Sequence, residues 1–457
     1  MAVQRERLFG TNGVRGIYGK DFTIDKIMDL SYSLATFFNQ GKIAVGYDGR
    51  KSSRLISNVV TAVITSAGLD VVALGQVPTP VLQFSTKNLG CSGGIMITAS
   101  HNPPEYNGIK PMASDGIEIA REDELKVEDI CYSKNFIKSD VYGKEIINNA
   151  SIATYIEKVL SLVNSDKIKK MQFKVVLDIG NGVQGLVAPY LLQQLGCNIL
   201  TINGNIDGDF PGRGPEPTTT NLEMLSKMVV ETNSDLGVAY DGDGDRSIFC
   251  DDKGIIYPGD KTAALLLQYL VCPVNTTLLV ENTAKNYGSK VTYTKVGSVE
   301  VSREMKTRNA IIGLEENGGF MYGMLNEVRD GAMTTALVLE MMAISNETEN
   351  TNFSNTERIA LSELFSTLEH IYQYKTKFTC SSREIAHDIV KKCIMHGSPM
   401  KIDTMDGAKI WIDGETWIMV RPSGTEPLIR MYGESNSETL LDSKIREYTR
   451  IVKDNLL

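Results

Sequence analysis

A strand, a helix and a second strand recur along this chain, and that repetition limits the folds open to it. Residues 42–46 form a short apolar run, 53–66 carry helical spacing, and 68–73 form another apolar run before the proline-containing loop 77–80. The same order returns at 173–178, 182–195 and 196–201, ending in the loop 211–217 with Pro211, Pro215 and Pro217. A fainter third copy runs from a strand at 277–280 through 290–293 to 295–297. Units of this length imply right-handed crossovers and largely parallel sheets. With 457 residues the chain has room for several domains, each with its own core. Three related α/β domains in tandem are therefore expected. The end departs from the pattern: residues 408–420 read as a hairpin around Asp413 and Gly414. A strand at 428–433 and a helix from about Glu438 follow, as in a separate α+β domain. The expected divisions are 1–150, 151–254, 255–368 and 369–457, with mixed, largely parallel sheets in the first three. The polar tract 345–356 is expected to be a surface loop of the third.

Composition narrows the setting. A net charge of −9 argues against a nucleic-acid partner, which calls for a basic face. Seven scattered cysteines, without metal-type spacing, point to a reducing cytoplasm. Residues 1–7 lack the apolar region of a signal peptide. The longest apolar stretch, around 263–272, is too short to span a bilayer, so no membrane partner is expected.

The most informative segment is Asp241-Gly242-Asp243-Gly244-Asp245-Arg246. Alternating glycines let the backbone bend until three carboxylates converge. Carboxylates that close repel one another unless a cation sits among them. All-oxygen ligation suits a hard ion such as Mg²⁺. An EF-hand loop begins similarly, but Arg246 stands where that loop needs glycine, and the flanks 236–240 and 247–250 read as strands, not helices. The working reading is a divalent-cation site at a strand end, serving phosphate chemistry.

Other loops add polar groups. Thr98-Ala99-Ser100-His101-Asn102-Pro103 follows the apolar strand 95–97, and Lys110 comes soon after. A Ser–His pair also suggests a hydrolase, yet no G-x-S-x-G elbow surrounds Ser100. Beside an acidic metal loop, Ser100 reads better as a phosphate carrier. Near the start, Arg15 lies among Gly10, Gly13 and Gly16, where backbone N–H groups and a guanidinium can meet a phosphate. The loop 313–319, after a strand at 310–312, offers Glu315 as acceptor and Asn317 as donor for sugar hydroxyls. Arg421, Ser423, Gly424 and Thr425 can form an anion nest, to which Arg430 can return from the next strand.

These four loops resemble, in order and one per expected domain, the phosphoserine, metal, sugar and phosphate loops of the α-D-phosphohexomutases. The resemblance spans the whole chain. It implies a four-domain, heart-shaped protein around a central cleft. It also implies a Mg²⁺-dependent enzyme that moves a phosphoryl group between O6 and O1 of a hexose through a bisphosphate intermediate. Ser100 would carry the phosphate and share the metal with Asp241, Asp243 and Asp245. Arg15, His101 and Lys110 match positions near the reacting oxygen, with Lys110 a general acid/base candidate. Arg246 would lie beside the metal loop. Lys295 and Gly297 resemble the segment that reads sugar hydroxyls, and Glu315 and Asn317 would hold them. Arg421, Ser423, Gly424, Thr425 and Arg430 would hold the spectator phosphate. Many phosphomannomutases and phosphoglucomutases of the family carry histidine where this chain has Gly319. The loop here looks more like that of archaeal phosphoglucosamine mutase, which points to glucosamine phosphate, with a broad phosphomannomutase/phosphoglucomutase as the alternative. A homodimer is compatible with the family. A non-catalytic sugar-phosphate sensor and a serine-based phosphatase are the competing classes.

Overall fold

The computed structural model describes residues 7–10, 12–266, 270–286, 288–349, 358–423 and 428–456. Four sheets follow one another along the chain. The first has the order Val14–Ile17, Tyr106–Ala113, Gly93–Ile97, Lys42–Tyr47, Asp70–Gln76, Glu145–Ile147. The second runs Ile256–Tyr257, Ser247–Asp251, Leu236–Tyr240, Lys174–Asp178, Asn198–Ile202. The third runs Val291–Thr294, Leu270–Pro273, Ile312–Glu315, Gly319–Tyr322, Asn326–Arg329.

One plan underlies all three. Strands joined through helices pair in parallel on one side of a central strand. On its other side the central strand turns back into an antiparallel hairpin. The mixed character follows, because a helical crossover forces parallel pairing and a tight turn forces the reverse. The fourth sheet, Tyr372–Thr379, Leu428–Ser435, Trp417–Pro422, Ala408–Trp411, Lys401–Asp403, is antiparallel throughout. Helices Arg383–Ile394 and Glu438–Lys453 cover one of its faces.

Local sequence explains the helices. In Ile24–Phe38 the buried Ile27, Leu30 and Leu34 recur at helical spacing, and the Thr23 hydroxyl accepts from the Lys26 N–H as an N-cap. Helix Ser53–Ser66 buries Ile56, Val60, Val63 and Ile64 in the same way.

Three expectations need correction. Residues 277–280 are not a strand: the third repeat's strand is Leu270–Pro273, and Leu278–Asn286 is a helix. A short apolar run fits either element, and here the strand came one segment earlier. Residues 182–195 are not one helix but a 3₁₀ turn, Val183–Leu186, followed by Ala188–Gln194, with Pro189 at the start of the second piece. The polar tract is helical at its start, because helix Gly331–Glu349 extends into it; residues 350–356 lie outside the described residues.

The cores join the sheets. Phe173 and Leu191 of the second unit pack in one cluster with Val338, Leu339 and Met342 of the third. Trp417, Met419 and Tyr432, on the face of the fourth sheet opposite its helices, share a core with Leu278 and Phe320. Each such side chain, fully buried, contributes about 1.5–3 kcal/mol. Among the described residues no helix is long and apolar enough to cross a membrane.

Candidate active site

Each of the four motif loops sits at the turn of an antiparallel hairpin, at the same place in its sheet. Ser100 lies between Gly93–Ile97 and Tyr106–Ala113, and the aspartates between Leu236–Tyr240 and Ser247–Asp251. Asn317 lies between Ile312–Glu315 and Gly319–Tyr322, so Glu315 belongs to the strand itself and not to the loop after it. Ser423 lies between Trp417–Pro422 and Leu428–Ser435. Gly424 and Thr425 lie outside the described residues.

The first two turns meet. Ser100 Oγ lies 3.0 Å from Asp241 Oδ2 and 3.3 Å from His101 Nδ1. Ligand oxygens of Asp241, Asp243 and Asp245 all lie within 4.8 Å of one another, and all three residues are buried. Cations of this chain surround them. Lys110 Nζ is 3.3 Å from Asp243 Oδ2 and 3.4 Å from Asp245 Oδ2. Arg329 reaches Asp245 Oδ2 at 2.6 Å, and Arg246 Nε stands 3.8–3.9 Å from Asp245 and Asp241. The Thr79 hydroxyl donates to Asp243 at 2.6 Å. Burial, reinforced by repulsion from Asp245 and Asp243, drives the Asp241 carboxyl well above its usual range. Burial also pushes Asp243 up, but Lys110, Thr79, Arg329 and Arg15 outweigh it and hold that carboxyl low. The charge of Arg246, then burial, then Arg15 and Arg329 keep the His101 imidazole neutral. Burial lowers the Arg15 guanidinium to about 10, still charged at neutral pH.

Ser100 is held in a strained conformation, with φ at 50°. A non-glycine residue there costs about 1–3 kcal/mol unless its surroundings fix it. Arg50 does so, by donating to the carbonyls of Ser100, Asn102, Pro103 and Tyr106 at 2.6–3.0 Å while paired with Asp48 at 3.1 Å. Thr98 Oγ1 donates to Asp48 and accepts from the Ser100 N–H. Arg15 donates to Ala99 O and Asn102 Oδ1. The close approach of the two loops explains one glycine: a Cβ on Gly242 would stand 2.8 Å from the Ser100 carbonyl oxygen. Arg213 braces the metal loop, donating to Asp178 and to the Tyr240 carbonyl.

Two more of the expected segments meet at Asp406. Its carboxylate accepts from the Val296 N–H at 3.0 Å and pairs with Arg421 at 3.3 Å, joining the 295–297 segment to the fourth unit. Lys295 is exposed; Gly297, with φ at 147°, precedes helix Ser298–Arg308. Arg421 stands directly opposite Arg430, and Arg430 opposite Lys377. Like charges in such positions destabilise a sheet, so three side by side suit a bound anion. The Asn317 side-chain oxygen accepts from the Gly319 N–H and shapes the turn, while Glu316 pairs with Lys375 of the fourth sheet.

The chain matches phosphoglucomutase/phosphomannomutase alpha/beta/alpha domains I, II and III over residues 6–138, 153–254 and 258–361. It matches the C-terminal domain of that family over 399–447. A phosphoglucosamine/phosphogalactosamine mutase of Sulfurisphaera tokodaii is 39% identical, across 98% of this chain and 99% of that one. The chain belongs to the phosphoglucomutase/phosphomannomutase family. A phosphoglucomutase/phosphomannomutase of Thermococcus kodakarensis is 38% identical across 97% of each chain. A phosphoglucomutase/phosphomannomutase family protein of Burkholderia thailandensis shares the fold, with a TM-score of 0.85 at 23% identity over 98% of this chain and 97% of that one.

The acidic trio of this phosphoglucomutase/phosphomannomutase family member fits a metal ion. Asp243 Oδ1 and Asp245 Oδ1 are buried and have no hydrogen-bond partner. A buried carboxylate oxygen left so is costly, and a hard cation would satisfy both at once. Sequence reasoning missed Arg50, Arg329, Asp406 and Lys377. No local pattern marked them: Lys377 meets Arg430 only through strand pairing, which a sequence does not reveal.

Proposed function

We propose that this chain is a phosphohexomutase that moves a phosphoryl group between O6 and O1 of a hexose phosphate. The reading rests on one observation above all, the 3.0 Å contact between Ser100 Oγ and Asp241 Oδ2, from two hairpins 141 residues apart in sequence. Ser100 carries the phosphoryl group; a sugar hydroxyl attacks it, the bond to Ser100 Oγ breaks, and a hexose 1,6-bisphosphate forms. The hydroxyl proton passes to Lys110 or His101 and Ser100 Oγ takes a proton as its bond breaks, while Arg15 stays charged beside the transferring group. The bisphosphate turns over and returns its other phosphate to Ser100. Asp241, Asp243, Asp245 and an oxygen on Ser100 would hold Mg²⁺, which would supply the charge neutralisation that phosphoryl transfer needs. Arg246, beside the trio, adds to it. Glu315 and Asn317, with Lys295 and Gly297, hold sugar hydroxyls. Arg421, Ser423, Gly424, Thr425 and Arg430 anchor whichever phosphate is not reacting. In this reading the domains divide at 1–150, 151–254, 255–368 and 369–457.

Glucosamine phosphate is the preferred sugar in this reading. The Sulfurisphaera relative, named a phosphoglucosamine/phosphogalactosamine mutase, supports it. The Thermococcus relative's name supports the second reading, a broad phosphomannomutase/phosphoglucomutase. Side-by-side rates on glucosamine, glucose and mannose phosphates separate the two. The site itself is tested by intact mass: a phosphate on Ser100, discharged by substrate, is expected. Ser100→Ala should lose all isomerisation; substantial residual activity overturns the phosphoserine role, and release of inorganic phosphate instead of isomer indicates a phosphatase. Free thiols at every described cysteine support a cytoplasmic location. Exposed Val141, Tyr142 and Ile147 beside the first sheet's edge support a homodimer, which solution mass tests.

A further inference from the structure

Gly319 and Arg329 are placed so that only one of them can carry a side chain. They lie on neighbouring antiparallel strands, Gly319–Tyr322 and Asn326–Arg329. A Cβ built on Gly319 would stand 2.4 Å from Arg329 Cδ and 3.0 Å from its Cγ. The guanidinium is 3% exposed and held at both ends: one nitrogen donates to Glu315 Oε2 at 3.0 Å, the other to Asp245 Oδ2 at 2.6 Å. The stem is fixed as well. Asp330, the next residue, accepts from the Tyr155 hydroxyl at 2.6 and 2.7 Å and from the Met333 N–H at 2.9 Å, locking the turn into helix Gly331–Glu349. With the backbone beside it fixed and the guanidinium held at both ends, the stem lies across Gly319.

We propose that Arg329 is a positioning and specificity-determining residue: it fills the place of a side chain at 319, sets the Glu315 carboxylate and ties it to the acidic trio. This rests on the reading of Glu315 as the acceptor for sugar hydroxyls. The consequence is mechanical. The sugar-holding carboxylate of the third unit and a trio carboxylate of the second share one rigid planar fork. A sugar hydroxyl seated on Glu315 is thereby held at a fixed offset from the phosphoryl group on Ser100. Lysine, a single flexible point charge, cannot bridge both carboxylates in that plane. In a relative with a side chain at the position of Gly319 this arginine has no room, so the hydroxyl contact must be made differently and the sugar preference changes.

The test is a double-mutant cycle on the full-length protein, with glucosamine, mannose and glucose phosphates as substrates. Gly319→Ala alone should displace the arginine and cut kcat/KM by about 10²-fold, the usual result of a misplacement near 1 Å. In an Arg329→Ala background the same change should cost less than about 3-fold, since the space is vacant; contacting residues couple in this way. Arg329→Lys should retain Tm and phosphate on Ser100, read by intact mass, yet raise KM and narrow the ratio between the three sugars. Additive effects in the cycle, or an Arg329→Lys enzyme with unchanged KM and sugar ratio, overturn the proposal. Glu315→Gln separates the two layers. If it leaves KM unchanged, the sugar-holding reading of Glu315 has failed. If it raises KM while the cycle is additive, only the role of Arg329 has failed.

Discussion

Among the described residues two lysines are almost completely buried, and they live in opposite surroundings. Lys110 is 1% exposed and stands between Asp243 and Asp245. At 3.3 Å and an effective dielectric near 20, one such contact has a gross attraction of about 5 kcal/mol. Lys409 is 4% exposed and, among the described residues, pairs with no carboxylate at such a distance. Its ammonium donates to the Val274 carbonyl at 2.9 Å and lies 4.0, 5.1 and 5.7 Å from the ring centres of Trp417, Trp411 and Tyr293. Burial pulls it down to about 8, against the more distant pull of Glu434, and the same burial pushes Glu434 up to about 7. A buried lysine is thus not a single kind of group. One neutralises carboxylates of the acidic trio that would otherwise repel one another. The other fills an aromatic box between the third and fourth units and loses much of its hold on a proton there.

Substitution can break this contrast. The largest effect belongs to Lys110→Met. It leaves Asp243 and Asp245 short of a cation, so kcat should fall by about 10²–10³-fold, as for loss of one preorganised charge contact. Breaking a buried pair should also cost about 3–5 kcal/mol, visible in urea unfolding. Lys409→Met should behave otherwise: the aliphatic stem stays among the rings, while the Val274 carbonyl loses its hydrogen bond and the rings and Glu434 lose the cation, for about 1–3 kcal/mol. Isomerase activity should stay within about 3-fold, because nothing at the acidic trio changes. A 10²-fold loss there would mean that docking of the fourth unit controls chemistry, and the contrast would fail.

The smallest effect is a pH dependence. Glu434 ordinarily titrates near 4.5 and is raised to about 7, so the folded state binds the extra proton between those values. Its stabilising contribution is complete below pH 4.5 and is lost as pH rises through 7. The difference in Tm between Glu434→Gln and the parent should therefore grow in favour of the variant from pH 4.5 to 7, then level off. A flat difference across that window would show that Glu434 is not held protonated by its burial.

Much of this was legible in the chain itself. Glycine spacing and flanking apolar runs marked the acidic turn, and the strand–helix–strand repeats foretold mixed sheets, because both are local patterns that the backbone must obey. The serine loop and the Arg421 segment were visible for the same reason. What only the tertiary structure decided is which isolated residues serve those loops. Arg50, 50 residues before Ser100, carries no pattern, and its four carbonyl contacts exist only after the first sheet forms. Arg329 and Asp406 are likewise single charges in unremarkable stretches, chosen by contacts at 2.6 Å to Asp245 and 3.0 Å to the Val296 N–H across units far apart in sequence. Even the glycine at 319 has its reason in a side chain ten residues away. Sequence records which groups are present, and short-range geometry decides what a turn can do. Which charge reaches which across a packed interface depends on where the sheets come to rest.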